Sequence, residues 1–232
     1  MKTRRGKFKA VGLALVLLSM AGSTQAVPTF QVYIDGGTAG DWGSDEDTWY
    51  TDGSPFELWL IGAHQNNTAN LTDAVLVASV PEGVSGTVTV GALAGSGPFD
   101  TKADFLPAGE TFNDHYPFKD DVSDFLTWDV GTFGSGETVA DYNADNGSIS
   151  GSADGEIKEY QVTVTGYDRV HFDLYGWVDK ENGQDAWDIN PGSHDSLYAS
   201  GTARIPAPGA LVLSALGTGF VAFARRRRIL QN

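Results

Sequence analysis

Alternation of apolar and polar residues is the feature that most restricts what this chain can fold into. In EYQVTVTG, residues 159–166, the apolar side chains of Tyr160, Val162 and Val164 alternate with polar ones. This period of two is typical of a β-strand with one buried face. RVHFDLYGWV, residues 169–178, shows a second alternation after the turn-forming residues 166–168. The two segments together predict a β-hairpin.

The second segment also predicts which side chains face the core. Its apolar face carries Val170, Phe172 and Leu174, which we expect to point inward. Its other face carries His171, Asp173 and Tyr175, which we expect to point outward.

Further strand-like segments predict an all-β fold. They lie at residues 29–34, 55–62, 73–80, 85–93 and 124–130. Gly, Asp, Asn and Pro turns separate them, and no useful helical periodicity occurs between them. We therefore expect a single β-sandwich domain of mostly antiparallel strands. The turn-rich stretches 94–123 and 131–155 are predicted to be long loops.

The N-terminal segment, residues 1–26, has the pattern of a secretory signal peptide. It begins with basic residues, continues with the apolar run AVGLALVLL and ends with the small-residue stretch SMAGSTQA. The apolar run is far shorter than the roughly 20 residues that a membrane span needs. We therefore expect the export machinery to translocate the chain and signal peptidase to cut between Ala26 and Val27.

The C-terminal segment, residues 205–232, has the pattern of a membrane anchor. The stretch from Gly209 to Ala224 is apolar and uncharged, and four arginines follow it, namely Arg225, Arg226, Arg227 and Arg228. This length suffices for a short transmembrane helix if flanking residues contribute. The positive-inside rule places the arginines in the cytoplasm and the preceding body outside.

The order of parts in this tail resembles the PEP-CTERM class of bacterial sorting signals. Its proline motif is formed by Pro206, Ala207, Pro208 and Gly209, with alanine where the commonest form has glutamate. The resemblance implies cleavage by an exosortase, a membrane-embedded cysteine transpeptidase. It also implies delivery to the cell surface, outer membrane or extracellular matrix of a Gram-negative-type bacterium. A permanent membrane anchor without processing would satisfy the same hydropathy and charge.

The body, residues 27–204, is strongly acidic. All 30 acidic residues of the 232-residue chain lie between residues 35 and 195, whereas nine of the 15 basic residues lie in the first nine residues and the last eight. The body therefore has a formal charge of −24, against −15 for the whole chain. Such a domain repels phosphate backbones, which excludes nucleic acid as a natural partner and favours cations. The absence of cysteine excludes disulfide and thiolate chemistry.

Three stretches of the body resemble the bacterial proteins called choice-of-anchor N. They are DTWYTDGSPFELWLIGAH at 47–64, GEIKEYQVTVTGYDRVHFDLYGW at 155–177 and SHDSLY at 193–198. The name describes a shared secreted domain that is joined in different members to different C-terminal anchors. The resemblance implies a secreted, surface-sorted domain of unassigned biochemical activity, and it supplies no catalytic residues.

The residues of the body contain no pattern that predicts catalysis. The four histidines, at 64, 115, 171 and 194, form neither an HExxH motif nor a pair at metal-ligand spacing. The Ser-His-Asp tripeptide at 193–195 is not a triad signature, because triad residues come from separate segments, and no GxSxG motif occurs. Carboxylates are abundant, but nothing singles out a glycosidase pair. We therefore expect no enzymatic activity, with a secreted hydrolase as an alternative.

Two acidic loops are candidate calcium sites. The first, residues 35–53, carries Asp41, Asp45, Asp47 and Asp52. The second, residues 179–190, carries Asp179, Asn182, Asp185 and Asp188. Calcium takes six to eight oxygen ligands from flexible Gly, Asp and Asn loops. Neither loop has EF-hand spacing, and solvated acidic turns that keep the protein soluble are the alternative.

Tryptophans offer a second binding chemistry. Trp42 and Trp187 lie in or beside loops and strand ends and are candidates for stacking on sugar rings. Trp59 and Trp177 lie within strand patterns and are expected to be core or interface residues. The sequence therefore predicts an exported, surface- or matrix-sorted, non-enzymatic β-sandwich protein. A carbohydrate-binding module of the extracellular matrix is the first alternative.

Overall fold

The structure, a computed structural model, describes residues 26–41, 47–65 and 67–200. Nearly all of the predicted signal peptide and all of the predicted sorting tail therefore lie outside the described residues. Within these three ranges, no helix has the length and hydropathy that a membrane span requires.

The described chain is all-β, as predicted. Its strands are β1 (Phe30–Ile34), β2 (Thr38–Asp41), β3 (Asp47–Thr51), β4 (Phe56–His64), β5 (Thr68–Pro81), β6 (Thr87–Val90), β7 (Gly95–Phe99), β8 (Ser123–Phe133), β9 (Glu137–Asn143), β10 (Ser148–Thr165), β11 (Arg169–Lys180), β12 (Ala186–Ile189) and β13 (Ser196–Ala199). Two short 3₁₀ turns, Lys102–Asp104 and Gly192–His194, lie between strands.

The strands form two sheets. Sheet A has the order β1-β4-β10-β6, with β9 paired to β10. Sheet B has the order β2-β3-β13-β11-β5-β8-β7, with β12 paired to β11. All of these pairs are antiparallel except β13 with β3, which confirms the prediction of mostly antiparallel strands.

The main core lies between the two sheets. Its largest hydrophobic cluster combines Val162 and Val164 of sheet A with Val170, Phe172 and Leu174 of sheet B. The inward orientation predicted for these five side chains is confirmed, since all are buried. Two sheets that share one apolar core are consistent with the predicted sandwich.

The prediction that the segments at 159–166 and 169–178 pair as a hairpin is wrong. β10 pairs with β4, β6 and β9, whereas β11 pairs with β5, β12 and β13. The turn between them therefore crosses from one sheet to the other, with the apolar faces of both strands on the same core. Gly166 has φ +82° in this turn, and a Cβ there would lie 2.9 Å from the Cα of Gly86. Only glycine fits this close crossing.

The prediction of a long loop at residues 131–155 is also wrong. This stretch contains the end of β8, all of β9 and the beginning of β10. β9 and β10 pair with each other, and Val139 and Tyr142 are buried in a second hydrophobic cluster. The turn signals apply only to the residues between the two strands. The residues on either side of this turn are paired in β9 and β10 in spite of their Gly-, Ser- and Asp-rich composition, because β propensity depends on context.

The outer face of sheet B is covered by an irregular segment, residues 100–122, which we call the covering segment. Its only regular element is the first 3₁₀ turn, so the loop predicted at 94–123 is confirmed except for β7. Phe118 is fully buried in a third hydrophobic cluster with Phe125 and Tyr175. The outward face of β11 is therefore buried: His171 is 2%, Asp173 0% and Tyr175 3% exposed. The expectation that these side chains face solvent is wrong.

Candidate functional site

Two histidines and two aspartates meet beneath the covering segment. The His/Asp cluster consists of His115 from that segment, His171 and Asp173 from β11, and Asp195 from the residue before β13. One ligand atom from each side chain lies within 4.8 Å of each of the others. In the part of the chain that the structure describes, no other group of three or more His, Asp and Glu side chains could hold a metal ion.

Strand geometry positions three of the four residues. The period of two puts His171 and Asp173 on one face of β11, opposite the core residue Phe172. Phe172 pairs with Ser196 of β13 in antiparallel register, so the next position places Asp195 across from Asp173 on the same face. The hydroxyl of Ser196 points the other way and donates a hydrogen bond to the carbonyl of Val32 at 2.9 Å.

The covering segment supplies His115. The imidazole stacks on the buried ring of Phe118 with centroids 5.2 Å apart, and its Nε2 donates to Asp173 Oδ1 at 2.9 Å. Asn190 also approaches Asp173 Oδ1, with Nδ2 at 3.3 Å, while its own Oδ1 accepts from the backbone N–H of Leu174 at 2.6 Å. One oxygen of Asp173 is therefore held by two donors.

Four buried polar atoms of His171, Asp173 and Asp195 lack hydrogen bonds. His171 Nε2 lies 3.3 Å from Asp173 Oδ2 and 3.4 Å from Asp195 Oδ2, but neither contact has hydrogen-bond geometry. Both oxygens of Asp195 are likewise without a hydrogen-bond partner. Burial of such groups without partners is unfavourable, so the protein leaves the polar requirements of this cluster unsatisfied.

The two aspartates have opposite pKa shifts. Burial raises the pKa of Asp195 to about 7, and this outweighs the opposing attraction of His171. Burial also acts to raise the pKa of Asp173, but the charges of His115 and His171 lower it further and hold it well below its usual range. Burial acts to lower the pKa of His171, whereas the charges of Asp173 and Asp195 raise it, and the net pKa lies above its usual value.

The arrangement can hold a metal ion, and it is poorly placed for catalysis on a substrate. Imidazole nitrogens and carboxylate oxygens are both common metal ligands. The side chains of His171, Asp173 and Asp195 are at most 3% exposed, so a substrate could reach them only after displacement of the covering segment. Nothing in the cluster singles out calcium, the ion predicted for the acidic loops.

Sequence analysis missed this cluster. In the sequence, His115 and His171 have no metal-ligand spacing, Asp173 lies on the predicted outward face of a strand, and Asp195 ends the Ser-His-Asp tripeptide. The one available signal is the apolar content of the covering segment, which includes Phe105, Phe112 and Phe118. Three phenylalanines in an irregular stretch indicate that this stretch packs on another surface of the protein.

Among the described residues, no three of the predicted aspartate ligands lie close enough together to hold an ion. Asp45 lies outside the described residues, Asp41 and Asp47 pair across β2 and β3, and Asp52 is exposed. In the second loop, Asp179 accepts from Asn70 and from Trp177, and Asp185 accepts from the backbone N–H of Lys180. Asn182 bonds to Gln184, and Asp188 accepts from the N–H of Ile189. A calcium site in these loops stays a prediction.

Trp187 is the one predicted glycan-contact tryptophan that the structure describes. Trp42 lies outside the described residues. Trp187 is half-buried and contacts Trp177 and Tyr175 edge-to-face, with centroids 5.5 and 6.0 Å apart. Sugar stacking at either position stays a prediction, whereas Trp59 packs against the second hydrophobic cluster.

A Ser–His–Asp contact does occur in space, but not in the order of a hydrolase triad. Ser193 Oγ lies 2.9 Å from Nδ1 of its neighbour His194, whose Nε2 lies 2.6 Å from Asp141 Oδ1 on β9. In serine hydrolases the serine contacts Nε2 and the aspartate contacts Nδ1. His194 and Asp141 are both buried. This pair ties the second 3₁₀ turn to sheet A and does not present a nucleophile.

A cleft lies at the β7 edge of sheet B. It has a volume of about 460 Å³ and is lined by residues of β6, β7 and β8. Its lining includes the apolar residues Leu93, Leu126 and Trp128 and the hydroxyl-bearing residues Thr89 and Ser96. This size and mixture fit a small ligand.

No protein-family model matches the chain, and a search of curated proteins finds no significant match. The resemblance to choice-of-anchor N proteins and to PEP-CTERM tails therefore stays a prediction based on the quoted residues.

Proposed function

We propose that this protein is an exported, non-enzymatic β-sandwich protein that its C-terminal tail sorts to the cell surface, outer membrane or extracellular matrix. The observation that carries this proposal is the pair of opposed terminal signals on either side of an acidic all-β body. The first signal exports the chain, and the second stops it in the membrane.

The position of Val27 supports the predicted signal cleavage. Val27 is 4% exposed and packs in the second hydrophobic cluster, whereas the preceding Ala26 is exposed. Cleavage between them would remove the signal peptide and keep every core residue of the body. The burial of the His/Asp cluster and of His194 supports a non-enzymatic role, because acid–base groups must reach a substrate to act.

The tail provides the test of sorting. Mass spectrometry of the protein from the surface of its native host should find a C-terminus near Pro206 and Pro208, as expected for exosortase cleavage. A surface population that retains Asn232 would contradict processing and would leave a permanent membrane anchor.

Two sets of variants separate anchoring from cleavage. Replacing Arg225–Arg228 with glutamines should weaken membrane retention and orientation, because the charges that resist translocation are removed. Replacing Pro206 and Pro208 with alanines should leave the precursor in the membrane but slow its cleavage, because proline keeps the cleavage segment extended. Identical phenotypes from both sets would contradict a two-part signal.

A carbohydrate-binding module is the second candidate function, and the cleft beside β7 favours it. Its hydroxyls and its apolar wall around Leu93 suit a sugar ring. The full-length chain should then be retained on an insoluble polysaccharide, and Ser96→Trp, which fills the cleft, should abolish retention. Ser150→Trp is the matched control, since Ser150 is exposed on β10 and lies outside the cleft lining. Equal retention of both variants would contradict binding in this cleft.

A further inference from the structure

We propose that His115, His171, Asp173 and Asp195 bind one divalent transition-metal ion, with Zn²⁺ as the reference metal. The ion would join the covering segment to β11 and β13. This inference does not depend on export or on the proposed sorting, because it rests only on the geometry of the His/Asp cluster.

The spacing of the donor atoms fits a tetrahedral site. Zinc binds histidine nitrogen and carboxylate oxygen at about 2.0 to 2.2 Å, which gives edges of about 3.3 to 3.6 Å between ligand atoms in a tetrahedron. His171 Nε2 lies 3.3 Å from Asp173 Oδ2 and 3.4 Å from Asp195 Oδ2. Two edges of the required tetrahedron are therefore already in place.

The fourth ligand needs only a small movement. His115 Nε2 donates to Asp173 Oδ1 at 2.9 Å, and one ring nitrogen of His115 lies within 4.8 Å of a ligand atom of each of the other three residues. On metal binding this imidazole exchanges its hydrogen bond for the ion. Asn190 keeps its contact with Asp173 Oδ1 and orients the carboxylate whose other oxygen binds the metal, as outer partners of metal ligands commonly do.

The unsatisfied atoms provide an independent argument. His171 Nε2, Asp173 Oδ2 and both oxygens of Asp195 have no hydrogen-bond partner, and the three side chains are almost completely buried. The tetrahedral site would use His171 Nε2, Asp173 Oδ2 and one oxygen of Asp195, with His115 as the fourth ligand. With both histidines neutral, the two carboxylates carry a charge of −2, which one divalent ion neutralises. In the absence of the ion, two protons must do the same.

The donor set selects a transition metal over calcium. Calcium takes six to eight oxygens, whereas this cluster offers two imidazole nitrogens beside two carboxylates. Nitrogen-containing tetrahedral sets suit zinc and its first-row neighbours. Because four protein ligands leave no open position, we infer a structural site.

The experiment uses the full-length chain in detergent, stripped of metal with a chelator at neutral pH. Zn²⁺ should bind with a stoichiometry of one per chain by elemental analysis and should raise Tm, whereas Ca²⁺ at the same concentration should not. Co²⁺ should compete with Zn²⁺ and give the intense visible absorption of a tetrahedral site. The absence of Zn²⁺ binding, or a Co²⁺ spectrum of octahedral type, would overturn the proposal.

Variants locate the ion. Asp195→Asn and His115→Gln should each weaken Zn²⁺ binding by more than about tenfold, because each removes one ligand. His64→Gln is the matched control, since His64 is a half-buried histidine on sheet A that is not part of the cluster. Circular dichroism establishes which variants fold, and the Co²⁺ spectrum of the unmodified chain remains decisive if one of them does not. Unchanged Zn²⁺ affinity in a folded cluster variant would place the ion elsewhere and overturn the proposal.

Discussion

The two buried aspartates of the cluster should respond differently to the same neutral, nearly isosteric substitution. In metal-free buffer at pH 8, Asp173→Asn should lower the free energy of unfolding by about 3 to 5 kcal/mol, the usual cost of breaking a buried ion pair by removing one partner. The reason is that Asp173 accepts from His115 and Asn190 and also faces His171. An amide at this position leaves the charge of His171 less compensated. Its NH₂ group can also face the N–H donors of His115 and Asn190.

Asp195→Asn should be far less harmful, because burial already favours the neutral form of Asp195. Its pKa is raised from 3.8 to about 7. One pKa unit corresponds to about 1.4 kcal/mol, so the ionised form is disfavoured by about 4 kcal/mol. The folded chain therefore holds this proton more tightly than the unfolded chain does. The resulting stabilisation is fully present below about pH 4 and is lost as the pH rises through about 7.

Urea unfolding monitored by tryptophan fluorescence, with chelator present at pH 5, 6, 7 and 8, measures both effects. The unmodified chain should lose stability relative to Asp195→Asn by up to about 1.4 kcal/mol per pH unit over this range. Asp185→Asn is the control, because this exposed carboxylate accepts only one backbone hydrogen bond and should change the free energy of unfolding by about 1 kcal/mol or less. The reasoning is refuted if Asp195→Asn costs as much as Asp173→Asn at pH 8, or if its effect does not depend on pH.

Four further predictions concern the core, the covering segment, the N-terminus and the acidic loops. Gly62→Ala should lower stability by about 1 to 3 kcal/mol in thermal unfolding, because its Cβ would lie 2.4 Å from Phe133 Cγ. Gly53→Ala, whose Cβ would meet nothing closer than 3.7 Å, should cost less, and equal effects would contradict a steric cause. Phe118→Ala should cost about 3 to 5 kcal/mol and should accelerate proteolysis within residues 100–122; uniform cleavage along the chain would contradict a local role. N-terminal sequencing of the exported protein should start at Val27, and Met1 on the surface form would disprove signal cleavage. Millimolar Ca²⁺ should raise Tm more than Na⁺ at matched ionic strength if the acidic loops bind it, whereas equal shifts would show only screening of the acidic charge.

The inward faces of the strands could be predicted from the sequence because they depend on a local period. Val162 and Phe172 are in the core, as the alternation in their segments requires. The pairing of β10 with β11 could not be predicted in the same way. A turn signal at 166–168 specifies that the chain reverses, but not whether the next strand joins the same sheet. That choice depends on pairing with β4 and β5, which lie far away in sequence.

The second face of β11 shows a different limit of sequence reasoning. A period of two assigns one face to the core and the other to solvent, unless something else covers that other face. Here the covering segment lies on it, and this segment has no periodicity that would reveal its position. The shared face of His171 and Asp173 could therefore be predicted, but their burial could not. Asp195 lies in the cluster because β13 pairs with β11, and His115 lies there because the covering segment packs around Phe118.

The His/Asp cluster lies where the covering segment must be attached to sheet B. It has almost no regular secondary structure, so sheet hydrogen bonds do not hold it, and the cysteine-free chain cannot hold it with a disulfide. Its phenylalanines provide burial but little direction, because hydrophobic contact is non-directional. Directional contacts come from Tyr175, whose hydroxyl donates to the carbonyl of Phe105 at 3.2 Å, from Arg169, which donates to the hydroxyl of Tyr116, and from His115 on Asp173. The His115 contact belongs to the His/Asp cluster, in which His171 Nε2, Asp173 Oδ2 and both oxygens of Asp195 are buried without hydrogen bonds. A metal ion bound there would therefore add a directional attachment between the covering segment and sheet B.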